Sequence, residues 1–333
     1  MTDKADRQNP ARAAAAPDRQ QPAGDWPFLP PALRAALAHY LPATDALTPQ
    51  PERTGRSGAA IWLYPELVLK IQPVTAESLG EVRMLQWLQG RLPVPELLAQ
   101  VRQEGQLYIL MSRAPGQMAC APLYLQDPPR LSRLLAGALR QLEAVPVQGC
   151  PGDCRLTRKL RQAAYNVRHG RVDLRNVEPE TFGPAGFRDP EALLRWLQDH
   201  QPPEELCLTH GDCCLPNIMA RPDAFQPGRD QVTAFLDLGR CGLADPWQDR
   251  ALAYRSLRDN LSGRYRPQPE PGKAVAAVSS AAVFSAAVPS APPGPSPAEV
   301  RPPAFKPEQL FTDLGLRPDW ERIRYYLLLD ELF

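Results

Sequence analysis

The chain of 333 residues carries 38 Lys and Arg against 37 Asp and Glu, a formal net charge of +1. That balance argues against a general nucleic-acid binder, whose basic stripe shows as an excess of Lys and Arg, and the length accommodates two lobes of a single unit with a sizeable core. Seven cysteines, an odd number, accompany no apolar signal segment at the N terminus, so they read as reduced thiols of a cytoplasmic protein.

Residues 1–25 are polar and rich in Ala and Pro, which predicts a disordered extension. Order is expected from about Trp26, and PPALRAALAHYL at 30–41 predicts a short amphipathic helix with Pro at its start. TGRSGAA at 54–60 supplies small residues where a loop could cover phosphates, although it is neither a Walker A loop nor a full G-x-G-x-x-G. AIWLYPELVLKIQPV at 60–74 predicts two short strands about a Tyr64-Pro65-Glu66 turn, with Lys70 among apolar residues. A helix follows over 78–92 from the spacing of Val82, Leu85, Leu88 and Leu92, with Glu81 near its start. Taken alone, Lys70 is an ordinary surface strand lysine and Glu81 a first-turn acid favoured by the helix dipole.

LTHGDCCLPNIMA at 208–220 and FLDLGRCGLADP at 235–246 change that reading. His210, Asp212 and Asn217 have the H-x-D-x-x-x-x-N spacing of a kinase catalytic loop, and Asp237 stands one residue before Leu-Gly as a second metal-side acid. In such a loop the first Asp accepts the proton of an attacking hydroxyl, while Asn and the second Asp hold Mg²⁺, a hard cation that takes one or two carboxylates plus phosphate oxygens. Apolar strand residues precede both loops, so both acids are expected where strands end. With such a loop downstream, Lys70 and Glu81 become the pair that grips the α- and β-phosphates. Cys213 and Cys214 fall at positions this chemistry leaves to filler side chains, and Cys150 with Cys154 lacks the second pair a zinc site needs. The Pro-rich run at 264–306 holds an apolar stretch, 274–288, too short for the roughly 20 residues that span a bilayer; it predicts a disordered insertion over 266–304.

HGDCCLPNIM, FLDLGRCGLADPWQDRALAYRSLRD (235–259) and DWERIRYYLLLDELF (319–333) resemble the aminoglycoside 3′-phosphotransferases, as do WLQGRLPVPELL (87–98), YILMSRAPG (108–116) and CPGDCRLTRKL (150–160). The resemblance implies an α+β, bilobal protein-kinase-like fold: a small antiparallel-sheet lobe and hinge over 26–113 and a mainly helical lobe over 114–333. It also implies an antibiotic-resistance enzyme that transfers the γ-phosphate of ATP or GTP, with Mg²⁺, to the 3′-hydroxyl of a kanamycin- or neomycin-type drug. Asp212 would be the catalytic base and Arg240 a positioner beside it; Asn217 and Asp237 would be the Mg²⁺ ligands. Ser57, Lys70 and Glu81 would serve the phosphates, and Met111, Ser112 and Ala114 the adenine. Glu178, Asp259, Asp330, Glu331 and the carboxylate of Phe333 would bind the drug, since a cleft lined with one sign of charge concentrates and orients a polycation.

Two positions depart from the family's pattern. Val68 stands where an aromatic ring usually stacks on the base, and Arg175 falls near an acidic position of the drug site, where a cation would repel an ammonium. The expected partner is a small-molecule drug, with no nucleic acid or membrane, in a monomer or weak dimer. Two other classes compete: a related kinase of choline, a sugar or another metabolic alcohol, and a pseudokinase or binding module. Choline would call for aromatic faces about one cation, and a pseudokinase would lack one of Lys70, Asp212, Asn217 or Asp237.

Overall fold

The computed structural model describes residues 29–41, 49–51, 59–223, 226, 229–264 and 305–333. The expected N-terminal extension, Ser57 with its small-residue loop, and the 266–304 insertion lie outside the described residues.

The first lobe is an antiparallel sheet of strands β1 (Gln50–Pro51), β2 (Ala60–Leu63), β3 (Leu67–Pro73), β4 (Leu97–Gln103) and β5 (Gln106–Ser112), in the order β1-β2-β3-β5-β4. Helices cover opposite faces. α1 (Pro31–Tyr40) presses Leu33 and Leu37 onto Tyr64, Leu67, Leu69 and Leu110. α2 (Ala76–Leu88) packs Val82 and Leu85 into the core that also takes Leu107, Ile109 and Met111. Because strand side chains alternate between faces, Leu67 and Leu69 belong to the α1 side, while Val68 and Lys70 share the α2 side. Thr75 opens α2 with a reciprocal capping box to Ser78. The sequence pattern extends this helix to residue 92, but Gly90, in a left-handed conformation at φ +73°, and the following Pro93 stop it at Leu88.

Beyond a short β6 (Gln117–Met118) the second lobe is built from α3 (Pro122–Leu125), α4 (Pro128–Glu143), α5 (Leu156–Arg168) and α6 (Pro190–Asp199). Two small sheets follow, holding β7 (Cys207–Thr209), β8 (Ile218–Pro222), β9 (Asp230–Phe235) and β10 (Gly242–Ala244). α7 (Pro246–Leu261), α8 (Gln309–Leu314) and α9 (Trp320–Asp330) complete it. α4 buries Leu131, Leu135, Ala138, Leu139 and Leu142, a helical stripe, and packs on α7 and α8; α7 in turn packs on α9. All seven cysteines are free, and burial pushes the thiols of Cys207, Cys213, Cys214 and Cys241 up, so thiolate is scarce at each. No helix of the described residues is long and apolar enough to cross a membrane.

The segment at 152–154 runs along β10, with Leu243 donating to the Gly152 carbonyl at 3.0 Å and Cys154 to that of Leu243 at 2.9 Å. A Cβ on Gly152 would lie 2.3 Å from the Cys241 carbonyl oxygen. Gly152→Ala is therefore expected to destabilise the protein by about 1–3 kcal/mol, the range for overpacking, in a denaturant melt; a melt like that of the unsubstituted protein would mean the two backbones can separate freely.

Candidate active site

β7 delivers His210, Gly211 and Asp212 into the cleft. Gly211 has φ +81°, and a Cβ there would stand 2.0 Å from the Arg240 carbonyl, so only glycine fits this close approach. The turn is pinned from below by Asp249 of α7, whose carboxylate accepts the backbone N–H of His210 at 2.5 Å and of Gly211 at 2.9 Å. Burial raises the Asp249 pKa although both N–H groups and His210 pull the other way. The Asp212 N–H donates to His210 Nδ1 at 3.3 Å, so the ring proton sits on Nε2 and is donated to the Leu236 carbonyl at 2.8 Å. The loop bearing Asp212 is thereby tied to the loop bearing Asp237.

Strand register brings the remaining acidic and amide groups together. Ile218 on β8 pairs with Phe235 on β9, and the Leu236 N–H donates to the Asn217 carbonyl at 2.9 Å, setting Asn217 beside Asp237. Asn217 Nδ2 donates to both the backbone oxygen and Oδ2 of Asp212, at 3.0 and 3.1 Å, which leaves its side-chain carbonyl to face outward as a donor of electron pairs. Asp237 holds a left-handed backbone at φ 56°, ψ 62°, rare for a non-glycine residue. Its side chain is 37% exposed and accepts Lys70 Nζ at 2.9 Å. Lys70 also reaches Glu81 at 2.8 Å, and Gln72 on the same strand face donates to the other Glu81 oxygen at 2.7 Å. Burial works to lower the Lys70 pKa, but Glu81 and Asp237 outweigh it and the pKa rises; the Asp237 pKa falls, Lys70 overcoming the opposite push of burial. One carboxylate, one amide carbonyl and an open cleft fit a hard divalent ion that completes its shell from phosphate oxygens.

At the end of β5 the Ser112 N–H is taken by the Glu96 carbonyl and the Arg113 N–H by that of Glu66, at 2.9 and 2.8 Å. The Ala114 N–H has no partner among the described residues. Val68 and Met111 face each other across β3 and β5, two apolar side chains in register on neighbouring strands.

Glu178, Asp259, Asp330, Glu331 and Phe333, spread over more than 150 residues of sequence, line one cavity of about 270 Å³. The single-sign cleft expected from the sequence is not what they form, because arginines stand among the acids. Arg255 pairs with Asp330 and with Glu331, the latter at 3.4 Å; Arg258 and Arg264 both pair with Glu178 and with Asp259. Arg240 lies 3.7 Å from Asp330 and 3.2 Å from Glu77, linking this pocket to the catalytic loops and to α2. Arg175 corrects a second expectation: 90% of its side chain is exposed and it pairs with Asp173, so it points to solvent while Asp173 lines the pocket. Burial pushes the Glu331 carboxyl up to about 7. Asp249, Asp173 and the three arginines are functional candidates that the sequence reading missed. No local sequence pattern marks them: the partners of Asp249 are backbone N–H groups, and the arginines meet Glu178, Asp330 and Glu331 across distant parts of the chain.

With this geometry in place, comparison with known proteins is informative. The profile of the phosphotransferase enzyme family matches residues 50–269. An aminoglycoside 3′-phosphotransferase of Enterococcus faecalis is 31% identical over 257 residues, 76% of this chain and 78% of that protein. One from Staphylococcus aureus is 28% identical over 308 residues, 91% and 97% of the two chains. The solved aminoglycoside phosphotransferase APH(3″)-Id of Streptomyces rimosus superposes with a TM-score of 0.63 at 22% identity, covering 90% of this chain and 97% of that one; it has also been solved with ADP and streptomycin.

The Asp249 carboxylate generates a test. Asp249→Ala leaves two buried backbone N–H groups without acceptors, each worth roughly 1–3 kcal/mol, so the variant is expected to lose about 2–5 kcal/mol of stability in a denaturant melt and most of its turnover. Unchanged stability would show that water replaces the carboxylate.

Proposed function

The chain belongs to the phosphotransferase enzyme family, and on that premise we propose that it transfers the γ-phosphate of ATP, with Mg²⁺, to the 3′-hydroxyl of a kanamycin- or neomycin-type aminoglycoside. One observation carries the reading: the loop pair holding Lys70, Asp212, Asn217 and Asp237 is joined through Arg240 and Asp330 to a pocket rich in carboxylates. The names of the sequence relatives support the acceptor and its 3′ position. The fold shared with a structure that holds ADP and streptomycin accords with a nucleotide and an aminoglycoside. Phe333 is the single aromatic ring lining the pocket among the described residues, and carboxylates dominate it, which favours a polycation over choline.

In this reading the drug's hydroxyl lies against Asp212, which accepts its proton as the oxygen attacks the γ-phosphorus and ADP leaves. Asn217 fixes the rotamer of Asp212, so the carboxylate is aimed before substrate arrives. Lys70, already oriented by Glu81, holds the α- and β-phosphates as a point charge. Asn217 and Asp237 would hold Mg²⁺, which would neutralise charge on the phosphate oxygens. The Ala114 N–H and the Ser112 carbonyl take the adenine edge, with Val68 and Met111 as its apolar wall. Glu178, Asp259, Asp330, Glu331 and Phe333 bind the drug, and Arg240 keeps Asp330 in register with the catalytic loop.

Two measurements probe this assignment. Asp212→Asn is expected to lower kcat by about 10²–10⁴-fold, the usual range for a positioned base, with the nucleotide KM nearly unchanged; near-normal kcat would take Asp212 out of the chemistry. A pH series tests the pocket. Glu331 is neutral below its raised pKa of about 7 and anionic above it, so attraction for a drug ammonium strengthens as pH rises. KM for the drug should fall roughly tenfold from about pH 6 to about pH 8, about what one charge-assisted hydrogen bond provides. Glu331→Gln should flatten that limb; an identical profile in the variant would assign the pH dependence to the drug's own amines.

A further inference from the structure

The far end of the pocket carries its own cations, and one of them is placed by the helix cap. α7 ends in a Schellman motif: Gly263, at φ +81°, donates its N–H to the Asn260 carbonyl at 3.3 Å, and Arg264 donates to that of Asp259 at 3.1 Å. This 6→1 closure folds the chain back over the last turn. It directs Arg264 Nη1 onto Glu178 Oε1 at 2.7 Å and onto Asp259 Oδ2 at 3.1 Å. Arg258, six residues earlier, meets the same two carboxylates at 2.9 and 2.7 Å. Among the described residues, two carboxylates and two guanidiniums thus meet at this end of the pocket. A chain of contacts leads to this cluster from the Arg240 side: Arg240 links to Asp330, Asp330 to Arg255, Arg255 to Glu331, and Glu331 accepts the Glu178 N–H at 3.0 Å.

Resting on the aminoglycoside reading, we propose that Arg264 is a specificity-determining counter-ion. It occupies the Glu178–Asp259 end of the drug pocket and selects against aminoglycosides that extend a further ammonium-bearing ring toward that end. An incoming ammonium must displace the guanidinium from carboxylates it already holds, or accept the repulsion of a like charge at contact distance. A short drug that ends at Asp330 and Glu331 meets Arg255 on those acids but not Arg264. Arg264 suits the role better than Arg258: it lines the cavity, and Arg258 alone still pairs both acids when it is removed. Removing Arg264 therefore takes one positive charge from this cluster while Arg258 still pairs with both carboxylates.

The test compares unsubstituted enzyme, Arg264→Ala and Arg264→Lys by steady-state kinetics at saturating ATP. The probes are neamine, a short aminoglycoside core, and neomycin, the same core extended by further rings. Arg264→Ala is expected to lower KM for neomycin roughly three- to tenfold, a charge-assisted contact discounted for partial exposure, with less than about a twofold change for neamine. Arg264→Lys, which keeps the charge but not the planar fork, should fall between. KM for ATP and the thermal midpoint serve as controls for the fold, since the cap is made by the backbone of residue 264. A neomycin KM that is unchanged or raised in Arg264→Ala, or equal shifts for the two drugs, overturns the inference while the proposed function stands. Turnover of neither drug by the unsubstituted enzyme removes the proposed function, and this inference with it.

Discussion

A lysine ammonium almost wholly withdrawn from water must have carboxylates around it, and the placement of those carboxylates sets how the two lobes of this protein meet. Lys70 draws one from α2 of its own lobe and one from the loop after β9 of the other. An unpaired ion at that depth would lose several kcal/mol of hydration, so β3, α2 and the Asp237 loop hold one another in place. The strained left-handed backbone at Asp237 is retained because the ion pair holds its side chain and the His210 bond to Leu236 fixes the residue before it. Of the two carboxylates that hold the ammonium, Asp237 is the more exposed.

The catalytic loop depends on a second buried charge. Asp249 lies under the turn at His210 and Gly211 and collects their N–H groups, so the loop cannot relax without losing both bonds. Gly211 allows the backbone to pass against Arg240, and the β8–β9 register carries Asn217 to the same point. Asp212 is thus positioned by main-chain contacts on three sides and by one side-chain amide. Phosphoryl transfer asks little covalent help of a protein and much positioning, and this arrangement supplies positioning.

The acid-rich pocket is governed by a balance. Carboxylates this close together raise one another's pKa and repel unless cations are interleaved. The protein interleaves arginines, whose forked donors satisfy two acids at once. Asp330 shows the result: burial pushes its pKa up, but Arg255 and Arg240 bring it below the ordinary value, so it stays ionised next to the catalytic loop. Glu331 is less well compensated and titrates near neutrality. Attraction for a polycation therefore comes from what remains after internal pairing, and selectivity from which acids are already engaged.

The sequence by itself determined the chemistry and the fold family. Motif spacing in 208–220 and 235–246 singled out Asp212, Asn217 and Asp237, the proposed base and metal ligands, because the spacing of such a loop is a local property of the chain. Apolar alternation in 60–74 and helical spacing after it placed Lys70 and Glu81, because strand and helix periods are local properties of the chain; the 2.8 Å pair then follows from β3 and α2 sharing a face. The carboxylates at 178, 259, 330 and 331 were legible as residues, through resemblance, but not as an electrostatic site. Which cations stand among them depends on how the α7 cap, the α9 terminus and the 173–178 loop converge, and no local pattern records that. Arg175 shows the difference: in sequence it sits among the acids of the pocket, yet in the fold it faces water. Asp249 was hidden for a related reason. Its partners are backbone N–H groups, which every residue carries, so only tertiary structure could say that this acid, rather than any other on α7, lies beneath the catalytic turn.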